Sequence, residues 1–449
     1  MTTRKLSCRS LGNAKRSYRQ RKFLFSTFNF CGNSGVEMTR DAVEKSLLKL
    51  KELGLDQVES GWAHHASGQY ALEICEREGI DFIWQDTSLF GGFQKKLHRE
   101  TTEEEVKKIV EDTKHYTCLK GYYVWDEPWF DYDMNAAKEQ TDWFDKYAPG
   151  KLAFTVTVPN ANGTFTWENG MYPSFTERFL DTIEPPVASF DHYPFGNDEY
   201  VMEYSGPQLD NSTVWKDMGV MRRAAAERDL PFWYYFATLR VTFRGFPKHT
   251  FPMTRVQVNY ALLYGVKCLQ AYGLCGSLAS PDKLDEERRV LKSDFSEGCF
   301  YDEMKALIFS TKNLGKTFFA LHSDHVYHGK EVLPDDAYFN ENFRESIADC
   351  DIFALDELPF RCTVGVLSDD HGNRYIAILN RDYEYPRSFT LPLSKKHRIY
   401  EVSKADGKHY PINDSTDCLY LTLEPGDMAF YRIEDPAEEA TDIEYFVED

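Results

Sequence analysis

The stretch LKGYYVWDEP (Leu119–Pro128) combines the features that decide the fold of this chain. Its aromatic and β-branched residues favour a strand, which ends on two adjacent carboxylates followed by a proline. An amphipathic, helix-like stretch, DMNAAKEQTDWFDKYA, comes directly afterwards. A strand that leads into a helix is the unit from which parallel sheets with helical cover are built.

The same unit recurs along the first two thirds of the chain. Helix-like stretches such as TRDAVEKSLLKLKELG, with Thr39 as a cap and Gly54 as a terminator, separate eight strand-like ones. The predicted strands are Lys22–Phe30, Leu55–Ala63, Ile80–Ser88, Leu119–Pro128, Lys151–Asn160, Pro186–Phe195, Pro231–Arg240 and Gly265–Leu274. Eight repeats in roughly 250 residues are typical of a (β/α)8 TIM barrel in the α/β class. A doubly wound sheet is the main rival, but the first turn, NFCGNSG, is not a clean dinucleotide fingerprint.

The pattern changes after the barrel region to short alternating strands split by DDHGN, ADGK and EPGD turns. We interpret this part as a small all-β sandwich domain that serves mainly for packing. The predicted organisation is a basic N-terminal tail (1–21), the barrel (22–323), the sandwich (324–433) and an acidic C-terminal tail (434–449). Both tails are predicted to be solvated or mobile, because one contains no acidic residue and the other is dominated by them.

Composition excludes several classes of protein. The formal charge of −20 argues against nucleic-acid binding, which requires clustered Lys and Arg. No apolar run approaches the ~18 residues of a membrane helix, and the basic leader lacks the apolar region of a signal peptide. The ten cysteines are scattered without a CxxC pair, which favours reduced thiols and a cytoplasmic location.

Aromatic residues make up 15% of the chain and include eight tryptophans, more than a core ordinarily needs. Flat rings stack on the apolar faces of sugars, so a carbohydrate cleft would account for part of this excess. In a barrel, functional side chains come from the carboxyl ends of the strands. The candidate substrate-binding residues at those ends are Glu59, Trp62, Trp84, Asp86, Trp125, Trp129, Asn160, His192, Tyr193, Trp233, Tyr235 and Gln270.

The candidate catalytic residues are the carboxylates Asp126, Glu127 and Asp191. Cleavage of a glycosidic bond needs an acid near the leaving oxygen and a second carboxylate for the charge that develops on the sugar. Neighbouring side chains of a strand point to opposite sides, so Asp126 and Glu127 both reach one pocket only where the strand ends or bulges. Alternatively, the pair caps the helix that follows.

The order GYYVWDEPW, ASFDHYPF and PFWYYFATLR…NYALLYGVKCLQAYG resembles a group of bacterial glycoside-hydrolase-like (β/α)8 proteins with a fourth-strand Asp-Glu-Pro and a C-terminal β-sandwich. The group is similar to retaining glycosidases whose fourth strand ends in Asn-Glu or Asp-Glu. The resemblance implies that Glu127 is the general acid, with Asp126 beside it.

The chain departs from those relatives at the seventh strand. They carry a nucleophilic Glu there, whereas FWYYFATLR contains none. Asp191 or Glu59 would then act as nucleophile, or as the base of an inverting enzyme at ~6.5–9.5 Å from the acid. A third route is substrate-assisted, with Asp126 orienting an acetamido group. The alternative to catalysis is a non-catalytic carbohydrate-binding barrel.

Metal chemistry forms a third hypothesis. A metal-dependent hydrolase or isomerase would require Glu59, His64, His65, Asp86 and Asp191 to converge. The stretch HSDHVYH (His322–His328) also looks metal-like but lies away from the strand ends. We therefore predict no metal and no cofactor, a carbohydrate substrate, and neither nucleic acid nor membrane as partner; a homo-oligomer stays open.

Overall fold

A computed structural model describes the chain over residues 2–28, 39–60, 65–85, 101–159, 171–195, 214–238, 249–274, 289–329 and 343–448. Eight parallel strands in these ranges form one sheet in the order β6-β5-β4-β3-β2-β9-β8-β7. They are β2 (Leu24–Phe28), β3 (Gln57–Ser60), β4 (Asp81–Trp84), β5 (Leu119–Asp126), β6 (Leu152–Val156), β7 (Ala188–Asp191), β8 (Phe232–Ala237) and β9 (Cys268–Tyr272).

The two outer strands of this sheet, β6 and β7, nearly close it into a barrel. A parallel bridge joins Thr157 to Phe190, and the Thr157 amide donates to the Ser189 carbonyl at 2.9 Å. The predicted TIM barrel is therefore confirmed.

Eight α-helices in the described ranges surround the barrel and connect its strands. They are α1 (Arg40–Leu53), α2 (His65–Glu78), α3 (Glu103–Thr113), α4 (Asp131–Tyr147), α5 (Met171–Ile183), α6 (Val214–Glu227), α7 (Phe251–Leu263) and α8 (Tyr301–Phe318). Helix α1 has the predicted caps: the Thr39 hydroxyl accepts from the Ala42 amide, and Gly54 ends the helix in a left-handed conformation.

The C-terminal domain is an antiparallel sheet of six strands in the order β10-β11-β12-β15-β13-β14. Its strands are β10 (Leu321–His328), β11 (Cys362–Asp369), β12 (Arg374–Asn380), β13 (Arg387–Val402), β14 (His409–Leu423) and β15 (Met428–Glu434). One apolar cluster includes residues of β11 and β12 as well as Phe389 and Leu391 of β13. The predicted all-β domain is thus a single sheet whose two ends share one core.

The two ends of the chain pair with each other as strands, so the expectation of mobile tails is wrong, whereas the N-terminal strand is largely exposed as expected. Strand β1 (Thr2–Cys8) runs parallel to β16 (Thr441–Val447). The Tyr445 hydroxyl of β16 donates to Asp369 at 2.6 Å and lies 2.7 Å from the Tyr375 hydroxyl, which attaches this pair to the large sheet.

The segment between β1 and β2 crosses the amino-terminal end of the barrel. Gln20 accepts a hydrogen bond from the Trp233 indole at 2.8 Å and donates to the Lys267 carbonyl at 2.9 Å. The buried Arg16 guanidinium donates to the carbonyls of Ile183 and Glu184 and to the Asp142 carboxylate, at 2.6–2.7 Å. Basic residues expected in solvent therefore hold this segment against the barrel.

Helix α7 joins the two domains. The Arg255 Nε donates to the Pro425 carbonyl at 2.9 Å, and the Asn259 amide donates to the Gly426 carbonyl at 2.8 Å. Both carbonyls belong to the EPGD turn of the C-terminal sheet. Arg255 therefore binds the neighbouring domain through its guanidinium group.

We predict that Arg16→Ala lowers the free energy of unfolding by about 2–3 kcal/mol, because two carbonyls and a carboxylate lose a charged donor. Urea unfolding of the purified protein measures this. The matched control is Lys15→Ala, since Lys15 contacts Glu184 with a side chain that is 70% exposed; its effect should stay within about 0.5 kcal/mol. Equal effects of the two variants on the free energy of unfolding would contradict a structural role for the N-terminal arm, the segment between β1 and β2 (residues 9–23).

Candidate active site

A β-bulge in β5 determines which side chains enter the barrel. Tyr123 pairs with Phe154 of β6, and Trp125 pairs with the next residue, Thr155, so β5 contains one extra residue at this point. Tyr123 belongs to the core inside the barrel, whereas Trp125 belongs to the core between barrel and helices. The bulge thereby turns Asp126 inward, where its Oδ1 accepts from the Tyr123 hydroxyl at 3.0 Å.

Gly121 allows β5 to approach β6 closely. A Cβ at this position would lie 2.5 Å from the Leu152 carbonyl oxygen, a distance that a larger residue tolerates only if the strands move apart. The glycine at the start of GYYVWDEP therefore has a packing role at the foot of the strand that carries the carboxylates.

Glu127 leaves the strand in a left-handed backbone conformation, with φ of +49°. Its amide still donates to the Val156 carbonyl at 3.1 Å, so the residue is fixed at the end of the sheet. A non-glycine residue in this region of φ costs about 1–3 kcal/mol and persists where the surroundings enforce it. The alternative that this pair caps the next helix is wrong, because the N-cap residue of α4 is Phe130.

Asp191, at the end of β7, is the partner of Glu127. Its carboxylate is in hydrogen-bonding contact with both Glu127 and Tyr193. Its Oδ1 is buried without a hydrogen-bond partner among the described residues. A buried acceptor without a donor is unusual in a folded protein, and the Glu127 carboxyl is the group beside Asp191 that supplies one when it is protonated.

The three carboxylates hold a proton on Glu127. Burial, followed by repulsion from Asp191 and Asp126, raises the pKa of Glu127, and so does its hydrogen bond to Asp191; the hydrogen bond from Trp129 opposes the rise. Burial also raises the pKa of Asp191, but hydrogen bonds from Tyr193 and Glu127 stabilise its ionised form. The result is a protonated Glu127 that donates to an ionised Asp191.

Glu59 lies inside the barrel and is completely buried. One carboxylate oxygen accepts from the Ser26 hydroxyl at 2.5 Å and from the Gln270 amide at 2.9 Å, and the other accepts from the Tyr235 hydroxyl. Gln270 in turn accepts from Ser189 at 3.1 Å. Glu59, Tyr235 and Gln270, predicted as direct ligands of a substrate, therefore bind one another.

Aromatic rings surround this network and the carboxylates. Phe28 lies at centroid distances of 5.7 Å from Tyr123, 5.8 Å from Tyr235 and 6.0 Å from Tyr272. Tyr193 stacks on Tyr272 at 5.0 Å, and both are partly exposed. Burial raises the pKa of Tyr272 to about 12, with Asp191 and Asp126 as further causes, so this tyrosine keeps its proton beside the carboxylates.

Three predicted sugar platforms are core residues. Trp84 is 1% exposed and its indole lies where a Cβ on Gly68 of α2 would be, 2.5 Å from Nε1. Trp125 is 0% exposed in the same layer, and Trp233 is 0% exposed at the amino-terminal end of the barrel. Rings without an exposed face cannot stack on a sugar, so this prediction does not hold for the three tryptophans. Trp129, a fourth predicted platform, donates a hydrogen bond to Glu127.

His192 also points away from the carboxylates. Its Nδ1 lies 2.7 Å from the Asp217 carboxylate of α6, and both side chains are buried. The Tyr234 hydroxyl donates to the His192 carbonyl at 2.7 Å. In place of the predicted sugar contact, His192 makes a hydrogen-bonding contact between the end of β7 and the helix behind it.

Three predicted ligands, Trp62, Asp86 and Asn160, lie outside the described residues, as does His64. The connections from strand to helix at this end of the barrel are described only in part, except the one after β5, which is described completely. That connection carries Glu127 and Trp129.

Sequence reasoning left out three residues that shape the site: Ser26, Phe28 and Tyr123. Ser26 and Phe28 alternate inward on β2, so strand periodicity would have found them. Tyr123 is different, because the bulge that brings it beside Asp126 has no signature in the sequence.

The metal hypothesis finds no support in the part of the chain that the structure describes, where no group of three or more His, Cys, Asp or Glu side chains is placed so that it could hold a metal ion. In HSDHVYH, His322 contacts Asp370 at 2.9 Å, His325 contacts Glu345 at 3.4 Å, and His328 lies 2.9 Å from the Tyr264 hydroxyl. No described helix is long and apolar enough to cross a membrane.

Comparison with solved structures identifies a shared fold. A glycoside hydrolase of family 5 from Bacteroides vulgatus is similar over 96% of this chain and 94% of its own, with a TM-score of 0.57 and 12% identity. A β-glucuronidase from Ruminococcus gnavus in complex with D-glucuronic acid matches 64% of this chain and 50% of its own, with a TM-score of 0.45 and 12% identity. A family 2 β-galacturonidase from Eisenbergiella tayi bound to galacturonate matches 67% of this chain and 54% of its own, with a TM-score of 0.43 and 11% identity.

The chain spans about half the length of the last two proteins. Neither a protein-family model nor a curated protein sequence matches it. At these identities the similarity to solved structures establishes the fold, a barrel shared with glycosidases, and leaves the roles of individual residues to the geometry of the site.

We predict that stability depends on pH through Glu59. Burial raises the pKa of Glu59 from 4.5 to about 7, so between these values the folded protein holds a proton that the unfolded chain has lost. The free energy of unfolding then falls as pH rises through this window, by about 3 kcal/mol for a shift of this size. Urea unfolding measures the free energy of unfolding at pH 5 and at pH 8. Its loss between these pH values should be about 3 kcal/mol smaller in Glu59→Gln than in the wild type. An equal decline in both proteins would mean that Glu59 is ionised when buried.

Proposed function

We propose that the protein is a glycoside hydrolase in which Glu127 is the general acid and Asp191 the second carboxylate. The observation that carries the proposal is the contact between the Glu127 and Asp191 carboxyl groups at the carboxyl ends of β5 and β7, where burial raises both pKa values and hydrogen bonds favour the ionised form of Asp191. Hydrolysis of a glycosidic bond needs one protonated and one ionised carboxyl group.

Their separation favours the retaining route. An inverting enzyme needs its carboxyl groups ~6.5–9.5 Å apart to admit a water molecule, whereas a retaining enzyme needs only ~5–5.5 Å. A pair in direct contact has to part only slightly for a sugar to enter in the retaining case. Glu59 is a poorer partner, because both of its oxygens accept hydrogen bonds from buried donors.

The reaction then proceeds in two steps. Glu127 gives its proton to the glycosidic oxygen as the bond to the anomeric carbon breaks, and the Asp191 carboxylate attacks that carbon. In the second step Glu127 takes a proton from water, whose oxygen attacks the anomeric carbon and releases Asp191. Asp126, whose pKa burial and the neighbouring Asp191 raise to about 7, accepts a hydrogen bond from Tyr123 beside the reacting pair.

A non-catalytic carbohydrate-binding barrel is the second candidate. The observation that favours it is β8, whose residues Phe232–Ala237 contain no carboxylate where the retaining relatives carry their nucleophile. Such a protein would keep the aromatic rings and carboxylates as ligands of a sugar and would show binding without turnover.

We predict that Glu127→Gln lowers kcat/KM on natural oligosaccharides by about 10²–10⁴-fold, the usual contribution of a general acid. Loss on an aryl glycoside with a strongly acidic phenol should be much smaller, because that leaving group departs without protonation. Assays on a panel of both substrate types measure the ratio. Asp131→Asn, at the first residue of α4 and 71% exposed at its side chain, is the control. An unchanged ratio between the substrate types would rule out the acid assignment.

Asp191→Asn tests the second carboxylate. Because the nucleophile acts whatever the leaving group, we predict a loss of kcat/KM by a similar factor on both substrate types. Azide, a small nucleophile, should restore turnover of the activated glycoside and invert the anomer of the product, which NMR detects. If Asp126→Asn abolishes cleavage of N-acetylhexosaminides and Asp191→Asn does not, the substrate-assisted route applies instead.

A further inference from the structure

Two exposed aromatic side chains follow Glu127, one at the N-cap of α4 and the other at its second residue. Phe130 is 56% exposed and Tyr132 is 64% exposed. Their rings are stacked at a centroid distance of 5.4 Å with an angle of only 9° between the ring planes. Two large rings that expose more than half of their surface contribute little to the core, and an exposed apolar patch of this kind commonly marks a binding site.

The position of the pair relates it to the acid. Phe130 is three residues beyond Glu127, so their Cα atoms are at most ~11 Å apart. Trp129, between them in the chain, donates a hydrogen bond to Glu127. The two rings therefore lie close enough to Glu127 for a disaccharide bound across the cleaved bond to reach them.

The interior of the barrel is filled below the carboxylates. Phe28 and Tyr235 are buried there, and Glu59 occupies the space between β3 and β8. A sugar whose anomeric carbon meets Asp191 would contact Tyr193 and Tyr272 at the bottom of the mouth. The group attached through the glycosidic oxygen must then extend outward, toward the solvent-facing rim where Phe130 and Tyr132 lie.

The surroundings suit an uncharged ring. Asp131, between the two aromatic residues, already has a counter-ion in Arg178 at 3.3 Å. The apolar C–H face of a sugar, or an aryl ring, stacks on such rings, and the Tyr132 hydroxyl adds a donor for a sugar hydroxyl. Two side chains are far too small a surface for a stable protein partner, which needs about 800 Å² per side.

We propose that Phe130 and Tyr132 form the platform for the leaving group, which makes the substrate an oligosaccharide or aryl glycoside with a ring on that side of the cleaved bond. This proposal rests on the proposed function for the direction of the substrate. It adds the binding residues on the leaving-group side and the requirement for a cyclic leaving group.

The test compares Phe130→Ala/Tyr132→Ala with a matched pair in the C-terminal domain, Phe360→Ala/Tyr385→Ala, whose side chains are 54% and 61% exposed. The kcat/KM of a disaccharide is divided by that of the methyl glycoside of the same cleaved sugar. We expect this ratio to fall by about ten-fold in the first variant, the size of one or two stacking contacts, and to stay within two-fold of wild type in the control.

A binding measurement separates this proposal from the proposed function. Calorimetry is carried out on Glu127→Gln with and without Phe130→Ala/Tyr132→Ala, using tetrasaccharides of β-linked glucose, mannose, galactose and N-acetylglucosamine. Weaker binding in the triple variant, together with no turnover by wild type, would support the platform and overturn catalysis. Turnover with an unchanged disaccharide-to-methyl ratio would overturn the platform and keep the enzyme. Absence of both binding and turnover would overturn both.

Discussion

The extra residue in β5 is the constraint on which the candidate active site depends. Without the bulge, strict alternation would place Trp125 inside the barrel with Tyr123 and would direct Asp126 toward the helices. With it, Trp125 fills the layer behind the sheet and Asp126 reaches the interior. The left-handed backbone at Glu127 then breaks alternation a second time, and two adjacent carboxylates face one space.

That arrangement is unfavourable for folding. Three carboxylates share a poorly solvated mouth, a fourth lies buried beneath them, and the backbone at Glu127 is strained. The remainder of the barrel supplies the compensation. Buried aromatic rings fill its interior, Arg16 and Gln20 hold the N-terminal arm across its far end, and β1 pairs with β16 to join both ends of the chain. The contacts of Gln20 with Trp233 and Lys267 lie at the amino-terminal end of the barrel, opposite to the strained backbone at Glu127.

Much of the fold could be predicted because it depends on local patterns. Each of the eight barrel strands lies within its predicted stretch, and the caps of α1 are the residues that the sequence indicates. The faces of individual aromatic residues could not be predicted in the same way. Trp84 and Trp125 lie at the ends of strands that are buried on both sides, so residue type does not indicate which side of the sheet each ring occupies; in the structure both rings lie in the layer between the sheet and the helices. The packing of the N-terminal arm could not be predicted for a related reason. Its basic composition does not show that Arg16 donates to the carbonyls of Ile183 and Glu184 on the barrel.

The carboxylates were predicted from residue type and from their place at strand ends. Which of them is the partner of Glu127, however, depends on contacts between strands that are distant in the sequence. Glu59 and Asp191 were equivalent partners of Glu127 in the sequence. In the structure, Ser26, Tyr235 and Gln270 bind both oxygens of Glu59, whereas Asp191 contacts Glu127.

The absence of a carboxylate on β8 has a geometric counterpart. Asp191 on β7 is the direct neighbour of Tyr235 on β8 in the register of the sheet, so the two side chains stand at one level, about 4.8 Å apart in the direction between strands. Tyr235 uses its hydroxyl to bind Glu59 below it. In the proposed reaction, the second carboxylate, Asp191, would thus stand one strand away from β8, on β7. The cleaved sugar would then lie correspondingly closer to Tyr193, the residue that hydrogen-bonds Asp191 and stacks on Tyr272.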